Sequence, residues 1–209
     1  MKLLNQCEVR VAGSLIEKKL STPEYYPLSL NSLTNACNQK NSREPVVSYS
    51  DEEVQIALDS LREKKYARLV QDGGRVVKYK ESFTEELKFD EKQIAVITVL
   101  MLRGPQTPGE IKNRSGRLYE FKSLEKTDET LNGLMNHNNE QFVIKLERQT
   151  GTKEHRYAHL LSGSPVNTDI AEPELKPGRI EKLEGEVEKL KQEIEELRSR
   201  FTEFKKQFE

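Results

Sequence analysis

The sequence has few of the residues that build metal and redox sites: it contains 2 cysteines, 3 histidines and no tryptophan. Cys7 and Cys37 lie far apart, so no Cys-x-x-Cys pair indicates a zinc or redox motif. His155 and His159 share a face of a strand or helix, but two ligands without a third do not make a zinc site. We therefore expect no metal and no cofactor, and both cysteines as small core residues.

Long apolar runs are also missing, since no stretch approaches the roughly 18 residues needed to cross a bilayer. The first four residues are followed at once by Asn5 and Gln6, which is unlike the apolar region of a signal peptide. These absences favour a cytoplasmic protein with no membrane partner. The hydrophobic content is 34%, and even with the 11 glycines it is below the roughly 45 to 50% typical of globular chains. Part of the chain is therefore expected to lie outside any core.

Sequence motifs for catalysis are missing as well. There is no glycine-rich phosphate loop, no G-x-S-x-G and no H-E-x-x-H, so we expect a protein that is not an enzyme. The chain also lacks a charge excess of one sign, with 34 Lys and Arg against 35 Asp and Glu. This balance is unlike the strongly basic composition of a dedicated nucleic-acid-binding domain.

An internal repeat begins with two amphipathic helices, each followed by a Thr-Pro pair, Thr22-Pro23 and Thr107-Pro108. Asn5 with Glu8, and Asp90 with Gln93, have the spacing of capping boxes that start these helices. Their inward stripes are predicted to be Val9, Ala12, Leu15, Ile16 and Leu20 in the first copy, and Ile94, Ile97, Leu100 and Met101 in the second.

Each copy then continues with two more helices and a hairpin. Second helices are predicted at 29–38 and 108–115, and third helices begin after Ser50 and Ser123. The third helices carry Val54, Leu58 and Leu61 in the first copy, and Leu124, Leu131 and Leu134 in the second. Strands are predicted at 66–70 and 75–79, and at 142–146 and 156–160, with a candidate short strand at 45–47. Three helices closed by a hairpin is the order of a winged helix.

The pattern predicts an α+β, mainly helical fold made of two tandem winged-helix domains and a C-terminal coiled-coil helix. Residues 82–89 are polar and are predicted to be a short linker, and the proline-containing stretch 164–178 a flexible one. The predicted domains are 1–81 and 90–163, and the coiled-coil helix is 179–209.

The last segment has apolar residues at strict heptad positions, with Val and Ile at a and Leu at d in its first half. This favours a parallel two-stranded coiled coil and therefore a homodimer. A single helix folding back onto its own domains remains the alternative, because a lone helix of this length is marginal in water. The residues predicted to form the dimer seam are Ile180, Leu183, Val187, Leu190, Ile194, Leu197, Phe201 and Phe204.

Several long motifs are similar to those of a known family. Thr22-Pro23-Glu24-Tyr25-Tyr26-Pro27-Leu28-Ser29, Ala36-Cys37-Asn38-Gln39-Lys40, Arg43-Glu44-Pro45-Val46 and Leu102-Arg103-Gly104-Pro105-Gln106-Thr107-Pro108 resemble the YceH-like family of uncharacterised bacterial proteins. The resemblance covers about residues 5–163. It implies a pair of winged-helix domains and no established activity, so no functional residue is carried over from it.

Two functions agree with this architecture. The first is a dimeric DNA-binding transcriptional regulator or DNA-associated protein that contacts duplex phosphates through loops and wings. Its candidate nucleic-acid-binding residues are Lys40, Asn41, Arg43, Gln55, Arg62, Arg75, Lys78, Lys112, Arg114, Arg117, Lys153 and Arg156. The second is a protein-interaction module, favoured because the outward side of both third helices is rich in Asp and Glu, which disfavours docking of these helices on DNA.

Overall fold

The computed structural model describes residues 2–71, 76–148, 151–152 and 154–164. All of them belong to one compact unit, Met1–Pro165. The predicted seam at 180–204 and the candidate residues Arg75 and Lys153 lie outside the described residues. The described part is α+β, with helices as its main element and two small sheets, as the sequence predicts. None of its helices is long and apolar enough to span a bilayer.

The elements follow the predicted order in both halves. The first half contains α1 (Gln6–Ser21), a 3₁₀ turn (Pro23–Tyr25), β1 (Leu28–Ser29), α2 (Leu30–Cys37), α3 (Asp51–Glu63), β2 (Ala67–Val70) and β3 (Lys78–Glu81). A short helix, α4 (Phe83–Glu86), leads into the second half, which contains α5 (Glu91–Arg103), α6 (Pro108–Arg114), α7 (Leu124–Met135), β4 (Val143–Lys145) and β5 (Tyr157–His159).

Capping residues start the helices where the sequence indicates. Capping boxes are confirmed at Asn5, Ser50 and Asp90, each of which exchanges two hydrogen bonds with the residue three positions later. Thr107 forms a further box with Glu110, and Pro108 then occupies the first helical position of α6, where a missing N–H costs nothing. These local bonds fix the helix starts independently of tertiary packing.

The first sheet differs from the prediction in three ways. Leu28–Ser29 adds an edge strand to the first hairpin and pairs with Tyr79 and Lys78, giving the order β1-β3-β2. The predicted strand at 45–47 is wrong, because those residues belong to no strand. The second strand of the first hairpin runs over Lys78–Glu81 and begins later than predicted, so the connection between β2 and β3 is longer.

The third helices bury the leucines predicted to face the core. Leu58, Leu61, Leu131 and Leu134 are all fully buried. The prediction of an inward position is wrong for two residues at the ends of the stripes, because Leu20 is 37% exposed and Leu124 is 41% exposed. Both stand within two residues of a helix end, where the periodic pattern continues but nothing packs over it.

One hydrophobic core runs through both halves, and this corrects the expectation of two separately packed domains. Residues of α1 and α3 belong to the same buried cluster as residues of α5 and α7. The predicted linker at 82–89 is part of this core, since Phe83 and Thr84 in α4 and Phe89 after it are buried. The rings of Phe83 and Phe89 lie 6.0 Å apart, and Phe89 packs edge-on against Phe142 at 4.9 Å. The mostly polar composition of this segment does not indicate that its two phenylalanines are core residues.

The contact between α1 and α5 joins the halves. Every residue of α1 from Glu8 to Ile16 is buried, because α2 and α3 cover one side and α5 covers another. Gly13 stands at the closest approach: a Cβ there would lie 3.0 Å from Cδ2 of Leu102 and 3.2 Å from Cβ of Met101. Glycine therefore allows the two helix backbones to come together.

Candidate functional site

Two predicted DNA-binding arginines have structural roles, and one of them, Arg43, is buried. The guanidinium of Arg43 donates to both carboxylate oxygens of Glu17, at 3.1 and 2.6 Å, and to the carbonyl of Ala36 at 2.8 Å. Arg156 donates to the carbonyl of Pro105 at 2.7 Å and pairs with Glu110 at 3.1 Å. These side chains hold loops and helix starts together, and the guanidinium of Arg43 is enclosed by its partners, so DNA contact stays a prediction for both residues.

The outward face of α3 offers little to a nucleic acid. Gln55 accepts a hydrogen bond from the Tyr79 hydroxyl at 3.0 Å and donates to Asp59 at 3.1 Å. Arg62 pairs with Asp59 at 2.9 Å. Both predicted contact residues are therefore tied to a carboxylate on a helix whose exposed side also carries Asp51, Glu52 and Glu63. A phosphate backbone would be repelled from this face.

A cationic surface lies instead on the first hairpin, and we call it the basic strand face: Arg68, Lys78 and Lys80. Arg68 on β2 stands directly opposite Lys80 on β3, and Lys78 lies two residues before Lys80 on the same side of the strand. All three side chains are exposed, whereas Tyr79 and Glu81 alternate to the other side and are buried. Of these three residues, only Lys78 is among the contacts predicted from the sequence.

The basic strand face is electrostatically unfavourable by itself. Directly opposite residues on paired strands have Cβ atoms about 4.5 to 5.5 Å apart, and like charges there destabilise a sheet. Arg68 has a carboxylate neighbour, Glu85, at 3.7 Å, but both side chains are more than half exposed and solvent screens the pair. Lys78 and Lys80 form no ion pair with any residue that the structure describes. An external anion would relieve this repulsion.

A second cationic site is a cleft of ≈ 730 Å³ that we call the basic cleft. The end of α1 and the loop after α2 form one wall, and α5 with the end of α6 and its following turn form the other. Four predicted candidates from the two halves of the sequence meet here: Lys40, Asn41, Arg114 and Arg117. Two cations that the sequence analysis missed, Lys18 and Arg103, also line it. Lys112 on α6 is not among the lining residues.

Two buried arginines shape the wall that carries Lys40. Arg10 on α1 donates to the carbonyls of Cys37 and Pro45, at 3.2 and 2.7 Å, which brackets the loop between α2 and α3. Arg43 anchors the same loop to Glu17. The backbone N–H of Glu44 then donates to the carbonyl of Leu102 at 2.9 Å and ties the loop to α5. The long insertion of the first copy is therefore a fixed wall of the cleft.

The cleft carries an excess of positive charge. Among the described residues that line it, Glu17 is the only carboxylate, and it is neutralised by a bidentate pair with the enclosed Arg43 and lies 3.6 Å from the ammonium of Lys18. Burial lowers the pKa of the Arg103 guanidinium, and the nearby positive charge of Arg114 lowers it further. The guanidinium of Arg114 donates a hydrogen bond to the side-chain oxygen of Gln106 and lies 3.6 Å from the carboxylate of Glu110. Lys40, Arg103 and Arg117 have no ion pair within the described part of the chain.

Comparison with known proteins identifies one family along most of the chain. A family model described as "Protein of unknown function, DUF480" matches residues 4–152. The chain is 46% identical over 183 residues to a UPF0502 protein of Opitutus terrae, covering 87% of this chain and 79% of the relative. It is 50% identical over 174 residues to a UPF0502 protein of Geotalea uraniireducens, covering 83% and 78%. A UPF0502 protein of Pectobacterium atrosepticum is 44% identical over 176 residues, covering 82% and 83%.

Proposed function

Because this chain belongs to the DUF480 family, whose description assigns no function, we propose from its own sequence and geometry that it is a dimeric DNA-binding protein of the winged-helix type, the dimer resting on the heptads of the sequence. In this proposal the basic strand face contacts the phosphates of duplex DNA, and the coiled coil joins two chains. The observation that carries it is the cluster of three exposed cations, Arg68, Lys78 and Lys80, on one side of the first hairpin.

The element order supports the winged-helix interpretation. In each half, three helices precede an antiparallel hairpin, and the third helix packs on the core through leucines at matching positions. In winged-helix proteins, hairpin wings place cations against the DNA backbone while the third helix reads the groove. Here the wing of the first half is basic and the third helix is acidic. We therefore infer binding through the backbone with little sequence discrimination.

Dimerisation would strengthen such binding. A single face with three cations displaces few counterions from DNA, so its affinity for a duplex is low. Two faces on one dimer would bind with a high effective concentration after the first contact. Truncation after Lys176 is expected to give a monomer in sedimentation equilibrium and to weaken duplex binding together with dimerisation. An unchanged oligomeric state would exclude the coiled coil as the dimer interface.

Fluorescence anisotropy with a labelled duplex over a salt series tests the proposed contact. Lys78→Ala with Lys80→Ala is expected to lower the affinity and to reduce the slope of log affinity against log salt by about 2, since each phosphate contact contributes about 0.9. Lys92→Ala with Lys122→Ala is the matched control, because both lysines are exposed and lie away from the hairpin. The control should leave affinity and slope unchanged.

A variant of α3 tests whether docking of the third helix in the groove contributes to duplex binding. Gln55→Ala with Arg62→Ala removes the two polar groups that groove docking through α3 would use. We expect duplex affinity to change by less than the strand-face variant changes it. A larger loss from the α3 variant, or no binding of any duplex by the full chain at low salt, contradicts the proposal.

A protein-interaction module is the second candidate, and the exposed face of α3 favours it. Ile56 is 64% exposed between the carboxylates of Glu52 and Asp59, which is an apolar centre with an acidic rim. Such a face suits a partner with a basic rim. If the chain binds no duplex but crosslinks to a partner in the cell, and Ile56→Ser removes that crosslink, this second function is favoured.

A further inference from the structure

The basic cleft has the shape of a small-molecule site and not of a duplex site. Its volume of ≈ 730 Å³ is within the range of about 300 to 1,000 Å³ typical of ligand pockets. Its walls come from opposite halves of the sequence and face each other across a concave space. Duplex DNA needs a projecting element that enters a groove about 12 Å wide or a surface that follows the backbone. The cations of the cleft are therefore arranged for a compact anion.

The positive charge that lines the cleft exceeds the negative partial charge of the helix ends around it. Lys18, Arg103 and Arg114 lie in the last turns of α1, α5 and α6, where cations offset the negative end of a helix. Each helix end carries about half a negative elementary charge, so the three ends offset less than half of the positive charge present. Lys40 and Arg117 lie in loops and serve no helix end. A positive potential remains in the cleft.

We propose that the basic cleft binds a small organic phosphate of about nucleotide size. Arginine is well suited to phosphate because its planar fork donates two parallel hydrogen bonds, and Arg103, Arg114 and Arg117 all line this space. The rest of the lining suits an organic group attached to the phosphate. Its apolar side chains are Val99, Leu102 and Leu118, and its amides are Gln39, Asn41 and Asn113.

The ligand would bridge the two halves of the fold. Lys40 belongs to the loop that Arg10 and Arg43 anchor in the first half, and Arg117 belongs to the turn after α6 in the second. A phosphate held between them adds a contact across the α1 and α5 junction. Binding to the folded state alone stabilises it in proportion to the logarithm of ligand concentration, so saturating ligand should raise the melting temperature.

Isothermal titration calorimetry of the full chain tests this site with ATP, AMP, fructose 1,6-bisphosphate, adenosine and inorganic phosphate. We expect at least one of the three organic phosphates to bind and to raise the melting temperature, while adenosine gives no binding heat. Inorganic phosphate should bind at least about tenfold more weakly than the best organic phosphate. Lys40→Ala with Arg117→Ala should weaken binding of that ligand at least about tenfold, because both replacements remove charge-assisted hydrogen bonds to the phosphate.

Two further variants distinguish this site from the proposed DNA contact. Lys40→Arg with Arg117→Lys keeps both charges and should weaken phosphate binding less than the double alanine variant, because lysine keeps the charge but not the planar fork of arginine. Lys78→Ala with Lys80→Ala should retain phosphate binding while losing duplex affinity. Lys40 and Arg117 are exposed, so their replacement leaves the core intact, which circular dichroism and thermal melting can verify. The proposal is overturned if no organic phosphate binds, if inorganic phosphate binds equally well, or if the Lys40 and Arg117 variant binds with unchanged affinity.

Discussion

Single residues with the same charge have different roles in the loop between α2 and α3. Lys40 is exposed in the basic cleft, whereas Arg43, three positions later, is buried against Glu17 and the Ala36 carbonyl. Nothing in the local sequence separates the two. The distinction arises because Glu17, on a different helix, presents a carboxylate at the correct distance for a bidentate pair.

The buried role of Arg43 predicts a loss of stability on substitution. Arg43→Ala removes the bidentate partner of Glu17 and leaves this partly buried carboxylate with only Lys18 at 3.6 Å, and breaking a buried pair costs up to about 3 to 5 kcal/mol. Urea denaturation should show this decrease in the free energy of unfolding. Arg62→Ala, which removes an exposed arginine from α3, should change it by less than about 1 kcal/mol. Equal effects of the two substitutions would contradict the assignment of Arg43 as a structural residue.

The enclosed imidazole of His159 is expected to make the free energy of unfolding depend on pH. Its Nδ1 is enclosed and has no hydrogen-bond partner among the described residues, and burial lowers the pKa of the imidazole from 6.5 to about 4. The unfolded chain therefore takes up the proton first as the pH falls, so the folded state is destabilised between about pH 6.5 and pH 4. The loss is on the order of 3 kcal/mol.

Denaturant titrations at pH 7.5 and pH 4.5 measure this effect. His159→Gln removes the titrating group and should flatten the part of the profile that lies between these values. His155→Gln is the matched control, because His155 is in the same hairpin and its Nδ1 contacts the carbonyl of Leu146 at 3.0 Å. If His159→Gln retains the full slope, other groups cause the dependence.

At the level of elements, the α1 and α5 contact distinguishes two helical glycines that look alike in sequence. Gly13 lies under Leu102 and Met101, whereas the nearest atom to a Cβ on Gly133 in α7 is Nε2 of Gln93 at 3.7 Å. Gly133→Ala should raise the free energy of unfolding by about 0.5 to 1 kcal/mol, because alanine loses less backbone entropy in a helix. Gly13→Ala should instead lower it by about 1 kcal/mol or more, because overpacking forces the helices apart.

Thermal and urea unfolding of both glycine variants checks this contrast. The two substitutions are chemically identical, so helix propensity cancels and the difference reports packing between α1 and α5. A stabilising Gly13→Ala variant would mean that the halves approach less closely than the structure shows.

At the level of the whole molecule, the shared core predicts that the two halves unfold together. Leu134 is fully buried in α7, and Leu134→Ala should cost about 2 to 5 kcal/mol. Hydrogen exchange followed by mass spectrometry should show the same loss of protection in peptides from α3 as in peptides from α7. Leu124→Ala, at an exposed position of α7, should have little effect in either half. Unchanged protection in α3 would indicate two independent folding units.

The sequence alone determined the six main helices of the described part, its two hairpins and their order, but not β1 or α4. Capping boxes at Asn5, Ser50 and Asp90 are local, so spacing is enough to place the helix starts. Burial of Leu58, Leu61, Leu131 and Leu134 follows from helical periodicity for the same reason. The family is also readable from the motifs, because the matched region covers the residues on which the resemblance depends.

Only the tertiary structure decided how the halves meet and which cations are available. The linker prediction failed because composition does not show that Phe83 and Phe89 insert into a core built by distant helices. The basic strand face depends on the register that sets Arg68 opposite Lys80, and the basic cleft on a loop fixed by Arg10 and Arg43. Side-chain burial and cross-strand register are long-range properties, since they depend on residues that are far apart along the chain.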